Sequence, residues 1–409
     1  QAARALLGGK RPEREVAGGP REGRNVVLVI VESWSSWHSE AFGGYENWTP
    51  QLDAAARRGV RLEDFHAVAY STERGLVGLL AGQDLWAPFH SWLKGELFYG
   101  LWGLRPSLAS VFTDADYHAA FLTTGPLSLY RKGEWLRSLG FDETEGGDHP
   151  FYEGLPRFAF GAPSDQALYA RALQWQAQAE QPYLLVLETV TTHQPYEDPE
   201  SGELSLERAM RYADAAFGEY LRALEAAGFF ENGVLLAASD HRSMTPIPAE
   251  DVQRFGFSAP SRVPAFLLDP RQAPRRDTRV LSHSDLVPSF QWWLHGEVTL
   301  GAHDALLFES ADLPPRPGPC AFHLRGDVPG VLNVICPDGH GEVRMEGDAT
   351  RFLSYDGLDA ARRDSLIEHI GRRRLATQAR HLANPAPEST PESSPEPPQH
   401  PSEEDAPTP

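Results

Sequence analysis

Residues 25–33 read NVVLVIVES, an uninterrupted apolar run that ends in an acid and a hydroxyl residue. The apolar part, Val26–Val31, is six residues long, which suits a buried strand and is far short of the ~18 apolar residues of a membrane helix. Because polar residues do not alternate with the apolar ones, we predict a strand that is covered on both faces. Sites in parallel sheets of such strands lie just beyond the carboxyl ends of the strands.

Further apolar runs alternate with helical patterns along the chain. The other runs with strand character are His118–Leu122, Tyr183–Glu188, Val234–Ser239 and Val263–Leu268. The helical segments are Leu52–Arg58, Leu76–Ala81, Leu206–Ala227 and Ser284–Trp293. In Leu206–Ala227 the apolar residues recur at spacings of three and four, which is typical of a core-facing helix. The alternation predicts an α/β fold with a central, mostly parallel sheet and helices on both faces.

Composition and charge exclude several classes of protein. The chain has 409 residues, of which 41% are hydrophobic and 23% charged, as in ordinary globular proteins. Its formal net charge of −20 opposes binding to a nucleic-acid backbone, so we expect no nucleic-acid partner. The two cysteines, Cys320 and Cys336, have no metal-binding or redox-motif spacing. Reduced thiols and an extracytoplasmic disulfide fit this pattern equally well.

Composition also divides the chain into four parts. Residues 1–24 are rich in Arg and Gly and predict a linker or stalk, either without a role or lying near an anionic membrane surface. A large α/β domain over 25–313 is followed by a small α+β subdomain over 314–383. Residues 384–409 are acidic and rich in proline, which predicts a disordered tail. Because the sequence begins with Gln and has no signal-peptide pattern, we expect a processed form without its upstream anchor.

Candidate metal ligands follow two of the predicted strands. Glu32 comes directly after Val26–Val31, and Asp240 and His241 come directly after Val234–Ser239. Carboxylate and imidazole ligands together suit Mn²⁺, Mg²⁺ or Zn²⁺. A single acid at a strand end is as readily a loop acid or a helix cap. The three residues together indicate a metal site at one edge of the sheet.

Hydroxyl groups precede the helical segment Leu76–Ala81. Residues 69–76 read AYSTERGL, which places Ser71 and Thr72 at a helix N-terminus, where backbone N–H groups favour negative charge and phosphate. A metal-coordinated hydroxyl there is a usable nucleophile. However, Ser and Thr are also the commonest N-cap residues, and this segment by itself favours capping.

Two histidines lie near other predicted strand ends. His193 follows Tyr183–Glu188 in a loop and is a general acid or base, a phosphate-binding donor or a solvated loop residue. His283 and Asp285 begin a helical segment, where Asp285 is more naturally a first-turn helix acid. We do not assign these last two residues to a site.

Seven blocks in order resemble the alkaline phosphatase/sulfatase superfamily, and within it the lipoteichoic acid synthase and phosphoglycerol transferase branch. The blocks are NVVLVIVES (25–33), TPQLDAAARRGVRLEDFHA (49–67), YSTERGLVGLLAG (70–82), SLYRKGEWLRSLGFDE (128–143), ETVTTHQPYEDP (188–199), LLAASDH (235–241) and SHSDLVPSF (282–290). The resemblance implies a sulfatase-like fold and makes 25–313 the catalytic domain. It also implies one divalent ion, commonly manganese, bound by Glu32, Thr72, Asp240 and His241, with Thr72 as the nucleophile.

The same resemblance assigns the residues that bind substrate. His193 matches the family's histidine near the phosphoryl oxygens. Tyr130 and Lys132 stand where the family has Trp and Arg in the glycerol-phosphate pocket, and lysine lacks the planar fork of arginine. A small shift of the chain would let Arg131 supply the guanidinium that Lys132 lacks. Arg242, where the family usually has Gly, either adds a phosphate contact or narrows the site.

The resemblance implies a membrane-anchored phosphoglycerol transferase with an extracytoplasmic catalytic domain. Thr72 would attack a glycerophospholipid of the phosphatidylglycerol type, release diacylglycerol and hold phosphoglycerol until a hydroxyl of an envelope glycan or polymer accepts it. Two alternatives stay open: a metal-dependent phosphodiesterase, phosphatase or other sulfatase-like hydrolase of the same superfamily, and an inactive lipid-binding or regulatory module. A true sulfatase is disfavoured, because Ser71–Arg74 lacks the C/S-x-P-x-R pattern from which formylglycine is made.

Overall fold

The computed structural model describes residues 14–17, 19, 23–86, 97–98, 100–300, 305–307 and 319–383. The predicted tail, 384–409, and most of the predicted linker lie outside the described residues. The strands are β1 (Arg14–Ala17), β2 (Asn25–Val31), β3 (Val60–His66), β4 (His118–Thr123), β5 (Glu143–Glu145), β6 (Tyr183–Glu188), β7 (Gly233–Ser239), β8 (Ala265–Leu268), β9 (Arg275–Ser282), β10 (Glu297–Leu300), β11 (Ala321–Leu324), β12 (Val331–Cys336), β13 (Gly339–Glu346) and β14 (Ala349–Asp356). The α-helices are α1 (Pro50–Arg57), α2 (Thr72–Ala81), α3 (Leu108–Thr113), α4 (Lys132–Ser138), α5 (Asp165–Gln176), α6 (Leu206–Ala226), α7 (Ala249–Phe255), α8 (Leu286–His295) and α9 (Ala360–Ala383).

An eight-stranded sheet in the order β5-β4-β6-β2-β7-β8-β3-β9 forms the centre of the molecule. Its neighbouring strands are parallel except at β8, which runs antiparallel to both β7 and β3. Every residue of β2 is buried. Val26, Leu28 and Ile30 enter the core on one face, and the intervening valines enter the core on the other. The prediction of an α/β fold with a doubly covered, mostly parallel sheet is therefore confirmed.

The sequence pattern missed the strands at one side of this sheet. β3 and β9 carry charged residues between their apolar ones, and β9 is the edge strand. Their pattern lacks the continuous apolar run that marks β2, because one side of each of these strands is less deeply buried.

A second, antiparallel sheet in the order β11-β12-β13-β14 forms the small C-terminal subdomain. Helix α9 packs on it through Leu366 and Ile370. A disulfide joins Cys320 to Cys336, so of the two alternatives for these cysteines the bridge is the correct one. Disulfides are characteristic of proteins outside the reducing cytosol.

The C-terminal sheet is tied directly to the segment that leads into α2. The Leu324 N–H donates to the Val68 carbonyl at 2.8 Å. The buried His323 lies next to it, with Nδ1 2.8 Å from the Ala67 carbonyl oxygen. Because a carbonyl only accepts hydrogen bonds, Nδ1 carries the proton. The two contacts hold the chain just before Thr72 against the second sheet.

The structure corrects part of the predicted linker over 1–24. Arg14–Ala17 pairs antiparallel with Glu297–Leu300, and Val16 is buried between them. Arg24 is also buried, and its guanidinium lies 2.9 Å from the Asp269 carboxylate. The isolated valine and arginine in a Gly-rich segment gave no periodic signal, so the sequence alone did not reveal this pairing. In the described part of the chain, no helix is both long and apolar enough to cross a membrane.

Candidate active site

Four side chains that the sequence singled out converge at the carboxyl ends of β2 and β7. Glu32 follows β2, and Asp240 and His241 follow β7, its parallel neighbour. All three are buried, and each offers a ligand atom within 4.8 Å of the others. Thr72, the first residue of α2, completes the cluster: its Oγ1 lies 2.9 Å from Glu32 Oε2 and 3.2 Å from His241 Nε2.

Backbone groups orient Asp240 and His241. Asp240 Oδ1 accepts hydrogen bonds from the N–H groups of Ser33 at 2.9 Å and His241 at 2.8 Å. Its other oxygen, Oδ2, is buried without a hydrogen-bond partner among the described residues. His241 Nδ1 lies 2.7 Å from the Arg242 carbonyl oxygen and so carries the proton. The lone pair of Nε2 is therefore free to bind a metal, an orientation typical of ligating histidines.

Neighbouring hydroxyl groups hold Glu32. The Glu32 N–H donates to Thr189 Oγ1 at 3.0 Å, and Ser33 Oγ donates to Glu32 Oε1 at 2.7 Å. Ser33 adopts a left-handed conformation with a φ of 57°, which is unfavourable for a residue with a side chain and is found preferentially at functional sites.

The electrostatics of the cluster favour a cation. Burial and the nearby Glu32 carboxylate raise the pKa of Asp240 well above its ordinary value, because two carboxylates share one water-poor pocket. A divalent cation would relieve this repulsion and would satisfy the unpartnered Asp240 Oδ2. The buried Glu/Asp/His triad can therefore hold a metal ion, and its mixed oxygen and nitrogen donors fit Mn²⁺, Mg²⁺ or Zn²⁺.

The Thr72 hydroxyl is directed at this cluster and does not cap the helix. The N-cap position of α2 is Ser71, whose side chain makes no capping hydrogen bond. Thr72 instead points to Glu32 and His241 from the helix N-terminus, where the backbone N–H groups favour an anion. The local geometry thus gives Thr72 the surroundings of a nucleophile.

Gly75 allows α2 to approach the metal-ligand segment. A Cβ atom at this position would lie 2.3 Å from the Asp240 carbonyl oxygen, which is backbone and cannot turn away. We expect Gly75→Ala to push α2 off β7, lower the free energy of unfolding by about 1–3 kcal/mol and reduce activity sharply, as measured by denaturant titration and turnover. Gly371→Ala in α9 is the control, because nothing lies within 4 Å of a Cβ there. Equal behaviour of the two variants would contradict this role of Gly75.

Lys132 forms a buried ion pair near the candidate metal ligands. Its Nζ contacts both oxygens of Glu188, at 3.0 and 2.7 Å, and both side chains are almost fully buried. Burial favours the neutral amine, but the carboxylates of Glu188, Glu73 and Glu32 outweigh it and raise the pKa of Lys132. The lysine is therefore protonated and held in the ion pair with Glu188.

The structure gives other partners to two of the residues expected to bind phosphate. The Arg242 guanidinium binds Asp251 at 2.9 Å and the carbonyl oxygens of Ser243 and Thr245. Arg131 pairs with Glu134 and lies over the Trp102 ring. These contacts order the loop after His241 and the start of α4. Both guanidinium groups are thus engaged by the protein itself, and a phosphate contact by Arg242 or Arg131, or a narrowing of the site by Arg242, stays a prediction.

Tyr130 and His193 are more exposed than the candidate metal ligands. The Tyr130 side chain is 45% exposed, and its backbone is left-handed with a φ of 50°. His193 is half-buried, with Nδ1 2.7 Å from the Gln194 carbonyl oxygen and its ring centroid 4.4 Å from that of Phe160. The histidine is close enough to the metal cluster to act electrostatically on Glu32.

The sequence did not single out Glu188, Ser33, Thr189 or Gly75. Glu188 is the last residue of β6. The reasoning that singled out Glu32, an acid at the carboxyl end of a buried strand, would therefore also have found Glu188. The contributions of Ser33 and Thr189 are hydrogen bonds that only the assembled sheet reveals.

Comparison with known proteins identifies the family. Residues 24–296 match the family model Sulfatase, and the chain belongs to this family within the alkaline phosphatase/sulfatase superfamily. The predicted superfamily is thereby confirmed. The chain is 22% identical over 295 residues to lipoteichoic acid synthase 1 of Bacillus subtilis (strain 168). The match covers 64% of this chain but only 44% of that protein, so the similarity to the lipoteichoic acid synthases is distant.

Solved structures share the fold. An alkaline phosphatase superfamily protein from Vibrio parahaemolyticus superposes with a TM-score of 0.70 and 18% identity, covering 90% of this chain and 89% of its own. The lipoteichoic acid synthase LtaP from Listeria monocytogenes gives 0.64 and 19%, covering 93% and 96%. The C-terminal periplasmic domain of EptC from Escherichia coli gives 0.51 and 17%, covering 74% and 91%. The predicted alkaline phosphatase-like fold, with its additional small C-terminal sheet, is confirmed.

Proposed function

We propose that this sulfatase-family enzyme is a metal-dependent phosphoglycerol transferase that uses Thr72 as its nucleophile. The observation that carries the proposal is the contact of the Thr72 hydroxyl with two of the three buried candidate metal ligands. The distant similarity to lipoteichoic acid synthases suggests the phosphoglycerol group and a glycerophospholipid donor of the phosphatidylglycerol type. The acceptor in this proposal is a hydroxyl of an envelope glycan or polymer.

Glu32, Thr72, Asp240 and His241 would hold the metal, for which we propose Mn²⁺. The chemistry that such a cation supplies is a lower pKa for the Thr72 hydroxyl and partial neutralisation of the phosphoryl oxygens. The hydrogen bonds to Asp240 Oδ1 and His241 Nδ1 keep their ligand atoms in place before the substrate arrives. The site is thus preorganised, which is the main requirement for phosphoryl transfer.

In the first half of the reaction, a bond forms between Thr72 Oγ1 and phosphorus as the phosphorus–oxygen bond to diacylglycerol breaks. The proton that Thr72 loses is balanced by the proton that the diacylglycerol oxygen gains. His193 is the side chain that we assign to protonate this oxygen. Its Nδ1 donates to the Gln194 carbonyl, so the proton is given by Nε2 of the doubly protonated ring, which becomes neutral. In the second half, the acceptor hydroxyl passes its proton to this Nε2 and displaces Thr72, whose oxygen takes back a proton.

We propose an extracytoplasmic location on the outer face of a membrane, with an upstream segment as the anchor. The disulfide between Cys320 and Cys336 supports this location. The EptC domain that shares the fold is a periplasmic one. In this arrangement a lipid donor and an envelope acceptor both reach the enzyme from the same compartment.

The test is incubation of the purified protein with head-group-labelled phosphatidylglycerol in vesicles, with Mn²⁺ and with a chelator. We expect Mn²⁺-dependent release of diacylglycerol and, with a polyol or glycan present, labelled phosphoglycerol on that acceptor. Free glycerol phosphate in the presence of acceptor would favour the phosphodiesterase alternative. Metal binding without any release of diacylglycerol would contradict the proposed donor.

A further inference from the structure

The Lys132–Glu188 ion pair lies near the candidate metal ligands. Glu188 is the last residue of β6 and is paired with Ile30, two residues before Glu32. The residue after Glu188, Thr189, accepts the hydrogen bond from the Glu32 backbone. Lys132 in turn is close enough to Glu73 and Glu32 to act electrostatically on both. The pair therefore lies near the candidate metal ligands and near the start of α2, which carries Thr72.

The pair makes this side of the site electrically neutral. Both oxygens of Glu188 contact Lys132 Nζ, and the side chains are only 6% and 2% exposed. Water therefore screens these charges poorly. A protonated lysine has three N–H donors, and pairing with the two Glu188 oxygens leaves one of them over. A phosphoryl oxygen that accepts from this N–H meets no net positive charge from the pair.

The metal site, once occupied, adds no net positive charge either. The carboxylates of Glu32 and Asp240 offset the charge of a divalent cation held between them. Glu73, directly after Thr72 and half-buried, adds a negative charge nearby. This balance favours a singly charged ester over a doubly charged one, because the charges of Lys132 and of the divalent cation are both already offset by carboxylates.

We infer that Glu188 is a specificity-determining residue: by neutralising Lys132 it makes the site select singly charged esters and reject doubly charged ones. Phosphodiesters and sulfate monoesters carry one negative charge, whereas at neutral pH most phosphate monoesters carry two and inorganic phosphate carries more than one on average. The inference rests on the proposed phosphoryl-transfer function and deepens it, since it explains how a diester donor is preferred over a monoester. Glu188 acts through Lys132 and is not itself a catalytic residue.

The test compares the affinity of the Mn²⁺-loaded protein and of Glu188→Gln for inorganic phosphate by calorimetry, which does not depend on turnover. We expect Glu188→Gln to bind phosphate about tenfold more tightly, a change equal to ~1.4 kcal/mol, because Lys132 then contributes an unbalanced charge. The control is Glu145→Gln, which removes the acid of another buried pair, the one with Arg171. It is expected to leave phosphate affinity unchanged.

Chromogenic esters test the same preference during turnover. We expect Glu188→Gln to raise kcat/KM for the monoester p-nitrophenyl phosphate relative to the diester bis-p-nitrophenyl phosphate. Turnover of p-nitrophenyl sulfate by the unaltered protein would identify sulfate esters as the favoured class. If neither p-nitrophenyl ester of phosphate nor the sulfate is turned over, the proposed function fails, whereas the calorimetry still decides the role of Glu188.

A double variant keeps the inference testable if Glu188→Gln does not fold. Lys132→Met with Glu188→Leu removes both charges and retains similar volumes, which buried ion pairs often tolerate. We expect lower rates, since the lysine contact is lost, but the same preference for the diester and the same weak phosphate binding as the unaltered protein. Unchanged phosphate affinity in Glu188→Gln, or tighter phosphate binding by the double variant, would overturn the inference.

Discussion

Replacing Thr72 with alanine is expected to abolish turnover of a phospholipid donor while the protein stays folded. The Thr72 oxygen is the atom that bonds to phosphorus in the proposed reaction, so its removal should cost about a thousandfold or more in rate. The structural cost is small, because the side chain is half-buried and contributes chiefly a hydrogen bond to Glu32, worth about 1 kcal/mol. Diacylglycerol release and the midpoint of denaturant unfolding measure the two effects separately.

Two variants serve as controls for the loss of Thr72. Thr72→Ser retains the hydroxyl group and should keep measurable activity. Ser71→Ala removes the neighbouring hydroxyl, which makes no capping hydrogen bond, and should affect turnover little. A folded Thr72→Ala protein with full activity would contradict the assignment of the nucleophile.

Asp240→Asn is expected to weaken metal binding more than about a hundredfold. Changes to residues that only support metal ligands cost 10–100-fold in affinity, and Asp240 is itself a proposed ligand. The measurements are Mn²⁺ titration by calorimetry and metal content after dialysis. Asp214→Asn is the control, because Asp214 is equally buried but binds the backbone N–H groups of Gln51 and Leu52 at the start of α1. It should retain the metal.

The same substitution should act differently on the metal-free protein. Burial, together with the neighbouring Glu32 carboxylate, raises the pKa of Asp240. Removing one of the two carboxylates should therefore leave the metal-free protein as stable as the unaltered one or more so, as judged by denaturant unfolding in chelator. The unaltered protein should gain stability on addition of Mn²⁺, and Asp240→Asn should not. A similar gain in both proteins would argue against a metal site at Asp240.

The parts of the site that follow from the sequence are those governed by position in the sheet. The unbroken apolar run of β2 predicts a buried parallel strand, and parallel strands bring the residues after them to one edge. Glu32, Asp240 and His241 meet for that reason. The position of Thr72 follows less directly: its own segment favoured a helix cap, and only the resemblance assigned it to the site. Gly75 allows the close approach of α2 to Asp240.

The ion pair of Lys132 with Glu188 could not be predicted, because it joins elements that are distant in the sequence. Lys132 and Glu188 come from α4 and β6, and neither local pattern indicates the other. Arg242 directly follows the candidate metal ligands, which suggested a phosphate contact or a narrower site. Its partner Asp251 is a buried acid on α7, and no local pattern marks that acid as buried. The disulfide was equally undecidable, since it depends on the antiparallel pairing of β11 with β12.

The most direct test of Thr72 as the nucleophile is mass spectrometry of the Mn²⁺-loaded protein, quenched with acid during turnover of phosphatidylglycerol. We predict an added mass of one phosphoglycerol group on the peptide that contains Thr72. The adduct should be absent when a chelator is present and absent from Thr72→Ala. Steady release of diacylglycerol with no adduct on Thr72, or an adduct on another residue, would contradict the proposed mechanism.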